Sequence, residues 1–301
     1  MLRAVRDAGS ISRAAARLGY SQPAVSQLLA RAEHRLGHHL VLRGGRGATL
    51  TESGRVLADH ALQVEAALAA AREDLDAVGG LTRGRVRFAG FPSASSALVP
   101  AVLADLARTS PGVVTSYVEA EPPEAVELLR RGEVDVALTF SHALGERDGD
   151  DGGDGPADPT LTTRVLGHDP LALVTPTPTQ VEAPGGVADL VAYRDARWIG
   201  GCPRCRGHLL ASCAASGFTP GIVLETDNAA AVVGLVAAGL GVALLPRLAL
   251  RSTVIPPDVT VTAADDALSR RVEVVVARGA ERVPSIRAAL HAVEAAAHLI
   301  G

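Results

Sequence analysis

Residues 14 to 37, AAARLGYSQPAVSQLLARAEHRLG, have the pattern of two helices joined by a short turn. Ser10 can cap the first helix, whose apolar positions follow at helical spacing. Gly19 stands where a left-handed C-cap is expected. Ser21 can cap the second helix, and Pro23 lies in its first turn, where no backbone hydrogen bond is lost. Because small alanines allow the helices to cross closely, the stretch predicts a helix-turn-helix.

The second helix has an apolar stripe and a polar side. Its stripe is expected to be buried and consists of Val25, Leu29, Ala32 and Leu36. Polar residues face away from the stripe, and Gln and Ser can hydrogen-bond base edges in the major groove. A solvated helix face is the alternative. The predicted DNA contacts of this helix are Ser21, Gln22, Pro23, Ser26, Gln27 and Arg31.

The segment HHLVLRGGRGATLT, residues 38 to 51, predicts two short strands around a glycine-rich turn. Such a wing would carry Arg43 and Arg46 toward the phosphate backbone. His38 and His39 are expected to meet solvent or phosphate, not a metal. Together with the two helices, this segment indicates a winged helix-turn-helix.

The charge distribution supports contact with a polyanion at this end. Residues 1 to 60 hold nine Arg against four Asp and Glu, a net +5, so the rest carries −9 of the chain's total of −4. There is no basic-then-apolar leader, and no apolar run reaches the roughly 18 residues of a membrane span. Three Cys argue against a disulfide framework. We therefore expect a cytoplasmic protein.

A long helix should follow, capped by Thr51 and running to about Val78. Its apolar residues alternate spacings of four and three, which is typical of a coiled-coil seam: Leu57, Ala61, Val64, Leu68, Ala71, Leu75 and Val78. An amphipathic helix on a globular domain is the alternative. Because about 28 residues span about 42 Å, we predict a dimerising linker helix. Gly79-Gly80 and Arg83-Gly84 mark its boundary.

From residue 85 onward, strand-like and helix-like segments alternate, which predicts an α/β fold with a largely parallel sheet. The expected strands cover residues 85–90, 113–119, 134–140, 171–176, 198–201, 222–226, 241–246 and 271–277. The expected helices cover 96–108, 122–131, 228–238 and a closing segment from Pro284. The acidic, glycine-rich stretch 145–159 predicts a disordered surface insertion, and its aspartate spacing only faintly resembles a calcium loop.

Residues 9 to 54, with Ser-Gln-Pro-Ala-Val-Ser, Leu36-Gly37 and Leu50-Thr51-x-x-Gly54, resemble the DNA-binding domain of LysR-type transcriptional regulators. Residues 111–138 and 236–246 are similar to the effector domain of that family. The resemblance implies an N-terminal winged helix-turn-helix over 1–54, a linker helix over 55–80 and a two-lobed α/β effector domain over 84–301, like a periplasmic binding protein. Lobe one would comprise 84–160 and 266–301, and lobe two 161–265.

A ligand is expected at the carboxyl ends of the strands, against helix N-termini. Serines at the start of the helix in FAGFPSASSALVP, residues 88 to 100, favour an anion, although simple N-capping is equally compatible. Arg204 and Arg206 would add positive charge. With the residues that the resemblance implies, the expected effector site is Ser93, Ser95, Ser96, Glu121, Thr139, Phe140, Cys202, Arg204, Thr226 and Asn228.

Catalytic motifs are lacking: there is no nucleophile elbow, no HExxH and no phosphate-binding glycine loop. We therefore expect a regulator that is not an enzyme and has no cofactor. The resemblance implies promoter DNA, a small effector, further copies of the chain in a dimer or tetramer, and RNA polymerase as partners, with no membrane. The serines and arginines described above favour an anionic effector. A solute-binding protein built on the same lobes is the alternative from another class.

The cysteine-containing stretch CPRCRGHLLASC, residues 202 to 213, allows three interpretations. Cys202 and Cys205 could line the effector cleft while Cys213 packs in the core. They could instead form a redox pair, or bind zinc with His208. We expect the first, and the metal- or redox-responsive regulator is the alternative.

Overall fold

The computed structural model describes residues 1–44, 47–78, 84–142, 158–177 and 187–301. Arg46, the expected boundary at 79–83 and most of the expected insertion at 145–159 lie outside these residues. Within the described ranges, no helix is both long enough and apolar enough to cross a membrane.

The N-terminal domain consists of α1 (Leu2–Ala8), α2 (Ile11–Leu18), α3 (Gln22–Leu36) and an antiparallel hairpin of β1 (Val41–Gly44) and β2 (Gly47–Leu50). Helix α2 ends at Gly19, whose φ of 72° favours glycine. The Ser21 hydroxyl caps α3 by accepting the Ala24 N–H at 3.4 Å. Ser10, in contrast, makes no side-chain cap hydrogen bond.

The predicted stripe of α3 is buried only in its first half. Val25 and Leu29 lie in the core of the domain, Ala32 is half-buried, and Leu36 is 50% exposed. Helix α2 has 8 residues and α3 has 15, so α2 cannot cover the last turns of α3. The expectation that Leu36 is buried is therefore wrong.

The linker helix, α4 (Glu52–Val78), begins where Thr51 Oγ1 accepts the Gly54 N–H at 3.0 Å. Its inner face, including Leu62 and Ala70, packs into the core of the first lobe. On the outer face, the apolar seam is exposed, with Leu57 38%, Val64 58%, Leu68 55% and Leu75 71% exposed.

The remaining elements are β3 (Gly84–Gly90), α5 (Pro92–Ala97), α6 (Val99–Thr109), β4 (Val113–Glu119), α7 (Pro122–Arg130), β5 (Val136–His142), β6 (Leu161–Asp169), β7 (Leu171–Pro176), β8 (Arg197–Gly200), α8 (Pro203–Ala215), β9 (Gly221–Glu225), α9 (Ala229–Ala237), β10 (Ala243–Pro246), α10 (Arg247–Leu250), β11 (Val259–Ala263), β12 (Arg270–Ala277) and α11 (Pro284–Ala296). Short 3-10 helices cover Leu190–Tyr193, Asp266–Leu268, Ala280–Arg282 and Ala297–Leu299.

These elements form two lobes. The first lobe has a five-stranded sheet in the order β4-β3-β5-β12-β6. The second lobe has a three-stranded sheet, β10-β7-β11, and a pair, β8-β9.

The sheets are not largely parallel, because the five-stranded sheet is mixed and the three-stranded sheet is antiparallel. In the first lobe, β3 pairs in parallel with β4 and β5, whereas β12 is antiparallel to both β5 and β6. Strand β12 returns from the second lobe and so enters the sheet from the opposite end. Because β6 pairs with β12, the first lobe extends to Asp169, and the expected start of lobe two at residue 161 is wrong by one strand.

Candidate functional site

The start of α3 presents polar side chains to solvent. Gln22 is exposed, and its Nε2 donates to the Ser26 hydroxyl at 3.0 Å. Ser26 itself is half-buried. The other expected contacts on this helix, Ser21, Pro23, Gln27 and Arg31, are exposed. This end of the helix can therefore reach into a groove of DNA.

The wing is held to α3 by one carboxylate. Glu33 Oε1 accepts the backbone N–H groups of Leu40 at 2.7 Å and Val41 at 3.2 Å. These contacts fix β1 relative to the helix. Arg43 projects from β1 and is exposed, as contact with phosphate requires.

Not every arginine of the basic N-terminal region is available to DNA. Arg3 pairs with Glu65 of the linker helix at 3.0 Å. Arg17 lies 3.7 Å from Glu133 of the first lobe. Net charge alone could not separate these arginines from Arg43.

A cavity of about 380 Å³ lies between the two lobes, where β3, β4, β8 and β9 end, and is called the interlobe cavity below. Parallel strands of α/β lobes commonly bind ligands at this edge. The expected residues that line it are Ser93, Ser96, Glu121, Phe140, Cys202, Thr226 and Asn228. Two of these also organise the backbone: Asn228 Oδ1 caps α9 by accepting the Ala231 N–H at 3.1 Å, and Thr226 accepts the Asn228 N–H at 3.3 Å.

Three expected residues do not line the interlobe cavity. The Ser95 hydroxyl turns to the other side of α5 and contacts Tyr117. Thr139 precedes Phe140 on β5, and since neighbouring strand side chains point to opposite faces, it points away. The guanidinium of Arg204 lies 6.0 Å from the centre of the Phe140 ring. Arg206 pairs with Glu225 at 2.8 Å on the surface.

Arg270 is the main residue that sequence reasoning missed. It is 2% exposed at the start of β12, and it lines the cavity. Its Nε and Nη2 lie 2.9 and 2.8 Å from Oδ2 of Asp169, which is fully buried. Nη2 also donates to the Ser93 hydroxyl at 2.6 Å. No sequence signal separated this arginine from surface arginines, because its partner is about 100 residues away.

Arg270 and Asp169 lie at the two points where the chain crosses between the lobes, and their ion pair links these points. Asp169 ends β6 before the chain enters the second lobe, and Arg270 begins β12 after it returns. Asp169 Oδ1 also accepts the N–H of Leu248 on α10 at 2.9 Å. The ion pair therefore contacts both lobes. We call Asp169, Arg270 and Ser93 the hinge cluster.

The charges that line the interlobe cavity are mainly negative. Glu119 and Glu121 come from the first lobe and Asp227 from the second. Burial is the main reason that the pKa of Glu121 rises to about 7, followed by the nearby Cys202 thiol and Asp227, while Arg270 opposes the rise. The positive charge expected from Arg204 and Arg206 is absent from this wall, and Ser93 is already bonded to Arg270. The structure therefore does not support the expectation of an anionic effector.

The cysteines are divided between the cavity and the core. Cys202 and Cys205 line the cavity with their sulfur atoms 3.3 Å apart. The hydrogen bond from Cys205 lowers the pKa of Cys202 to about 6. Cys213 is fully buried in the second lobe, and burial raises its pKa to about 11. His208 stacks on His142 at 4.1 Å, and its Nε2 lies 3.2 Å from the carbonyl oxygen of Leu268.

Comparison with known proteins gives matches along nearly the whole chain. A family model described as "Bacterial regulatory helix-turn-helix protein, lysR family" matches residues 1–55, and "LysR substrate binding domain" matches residues 79–297. A curated relative, the probable HTH-type transcriptional regulator LrrA of Synechococcus elongatus, is 30% identical over 96% of this chain and 93% of its own.

Solved structures show the same fold. A variant of full-length OxyR from Pseudomonas aeruginosa matches with a TM-score of 0.68 and 19% identity, over 100% of this chain and 93% of its own. Full-length CbnR, solved in complex with its target DNA, matches with a TM-score of 0.56 and 21% identity, over 98% and 97%.

Proposed function

The chain belongs to the LysR family of transcriptional regulators, and on that premise we propose that Gln22 and Ser26 read base edges while Arg43 holds the phosphate backbone. The observation that carries the proposal is the polar first turn of α3 with its exposed Gln22, together with an exposed arginine on the wing of the same domain. Gln is suited to bidentate pairing with adenine, and Arg is suited to phosphate.

The effector, in this proposal, binds in the interlobe cavity and acts through the hinge cluster. A small molecule that touches residues of both lobes favours one angle between them. Ser93 lies in the cavity wall and accepts a hydrogen bond from Arg270, whose ion pair joins the two crossings. A ligand that shifts Ser93 or α10 would therefore change the hinge, and through it the arrangement of the DNA-binding domains.

Further copies of the chain complete the regulator. The exposed seam of α4 is the surface proposed for dimerisation, because its four large apolar residues are 38 to 71% exposed. A second α4 would bury them in a coiled coil. Dimer and tetramer are both compatible with this contact. We expect the protein to act in the cytoplasm, where promoter DNA and RNA polymerase are found.

The comparisons favour this effector-controlled regulator over the alternatives. The match of residues 1–55 to a regulatory helix-turn-helix excludes a plain solute-binding protein. The family model that matches the lobes is a substrate-binding domain, so the metal- or redox-responsive alternative is not favoured.

Two experiments test the proposed contacts. The first is gel-shift binding to the DNA upstream of the chain's own gene, and the second is selection of binding sites from random DNA. Gln22→Ala should relax the preference at one base position and weaken binding to the selected site by about 1–3 kcal/mol. Arg43→Ala should weaken binding to all sequences alike and lower the salt slope by about one. Gln22→Ala with unchanged sequence preference would refute the assignment.

A further inference from the structure

The charge of the interlobe cavity is set by its acids. Three carboxylates, those of Glu119, Glu121 and Asp227, stand on its wall. Arg270 is the cation among the lining residues that the structure describes. Two of its nitrogens already contact Asp169, so its guanidinium is paired within the protein, although its charge still lowers the pKa of Glu121.

The cation–π contacts of Arg270 reinforce that point. Its guanidinium carbon lies 4.8 Å from the ring centre of Phe91 and 4.6 Å from that of Phe140. Moving Arg270 toward a ligand carboxylate would break these contacts and leave Asp169 buried without its partner. Such a buried unpaired charge is strongly unfavourable. An anionic ligand would therefore meet three carboxylates, and the described lining residues hold no arginine that is free to pair with it.

Glu121 provides a second, independent observation. Its Oε2 is buried and accepts no N–H or O–H hydrogen bond from the described residues, and the Cys202 thiol is the hydrogen-bonding neighbour of its carboxyl group. A buried carboxyl oxygen that accepts no N–H or O–H hydrogen bond is uncommon in folded proteins and calls for an explanation. A donor on the ligand is the group that would satisfy this oxygen.

Glu121 and Asp227 belong to different lobes. Glu121 precedes α7 of the first lobe, and Asp227 precedes the cap of α9 in the second. Both line the cavity, and the charge of Asp227 is one of the groups that disfavour ionisation of Glu121. Closing the lobes brings like charges together, which opposes closure unless a cation lies between them.

We propose that the effector carries a protonated amine or a guanidinium, which binds between Glu121 and Asp227 and draws the lobes together. This inference rests on the proposed function, since it names the class of ligand for the same cavity. The lining also includes the apolar residues Leu244, Leu245 and Ala249, so the rest of the ligand is a small apolar body. A cavity of about 380 Å³ is at the lower end of the range for small-molecule sites.

Paired ligands of opposite charge test this inference on the full-length protein. The panel consists of amines and carboxylates of closely similar shape, among them benzylamine with benzoate and putrescine with succinate, measured by thermal shift and calorimetry. We expect an amine to bind and its carboxylate counterpart not to bind. Glu121→Gln and Asp227→Asn should each weaken the amine roughly tenfold or more. Glu124→Gln is the matched control, because Glu124 lies in the first turn of the helix that Glu121 precedes, is exposed and does not line the cavity.

Three results would overturn the inference. They are binding of a carboxylate at least as tight as its amine, equal effects of Glu121→Gln and Glu124→Gln, and no binding by any amine of the panel. Gel-shift measurements on the same samples distinguish failure of this inference from failure of the proposed function. DNA binding without amine binding removes the ligand class alone, whereas amine binding without DNA binding removes the DNA-reading proposal alone.

Discussion

Neutralising Asp169 should destabilise the protein more than any change to a surface ion pair. Asp169→Asn keeps the shape of the side chain but leaves the charge of Arg270 buried at 2% exposure without a counter-ion. Removing one partner of a buried pair costs about 3–5 kcal/mol. At roughly 2–4 °C per kcal/mol for a domain of this size, the melting temperature should fall by about 6–20 °C.

Urea unfolding and calorimetry of four variants measure this effect. Arg270→Met should cost a similar amount, because Asp169 then keeps only the Leu248 N–H. The double variant Asp169→Asn with Arg270→Met should cost clearly less than the sum of the two single changes, since it buries no lone charge. Glu127→Gln is the surface control: its pair with Arg131 is about 40% exposed, so the loss should stay below about 1 kcal/mol. A loss below about 1 kcal/mol for Asp169→Asn, or strict additivity in the double variant, would refute the reasoning.

Leu68→Glu places a charge in the exposed seam of α4 and should shift sedimentation to smaller species. Ala77→Glu changes a residue that is exposed on the other side of the helix and should not cause this shift. Equal sedimentation of the two variants would place the dimer contact elsewhere. The affinity for an amine should rise between pH 6 and 8 in calorimetric titrations, because Glu121, with a pKa of about 7, becomes charged over that range, and Glu121→Gln should remove the rise. Burial, and then the charges of His208 and Arg270, hold the pKa of His142 near 2, so the unfolded chain binds more protons than the native state below pH 6.5. Stability in urea should therefore fall as pH drops from 6.5 to 5, and a slope unchanged in His142→Phe would contradict this.

The sequence predicted the elements whose pattern is local. Gly19, Ser21 and the spacing of Val25 and Leu29 were sufficient for the helix-turn-helix, because caps and periodicity act within a few residues. The linker helix was also predicted from its local pattern, but that pattern did not show which of its faces packs against the first lobe. The first lobe covers the inner face of this helix, and such a contact between distant parts of the chain leaves no signal in the local sequence.

The cavity was predicted in outline but not in its electrostatics. Turns after strands brought Ser93, Glu121 and Asn228 to the same edge, as the α/β pattern indicates. The charge of that edge depends on which ions already have partners, as the pairs of Arg270 with Asp169 and of Arg206 with Glu225 show. Such pairs connect distant parts of the chain, so counting arginines near the site could not predict the charge of its wall.

The two crossings between the lobes bear on how such a protein can be rebuilt. The second lobe leaves the first after Asp169 and returns before Arg270, and these two residues are direct partners in adjacent strands. A segment whose ends are neighbours can be exchanged for another without stretching the host, as in tolerated domain insertions. We therefore expect residues 171–264 to be exchangeable, and a chimera would need to retain Asp169 and Arg270 at its two splice points and a backbone N–H that replaces that of Leu248. New ligand specificities could then be transplanted onto an unaltered DNA-binding half.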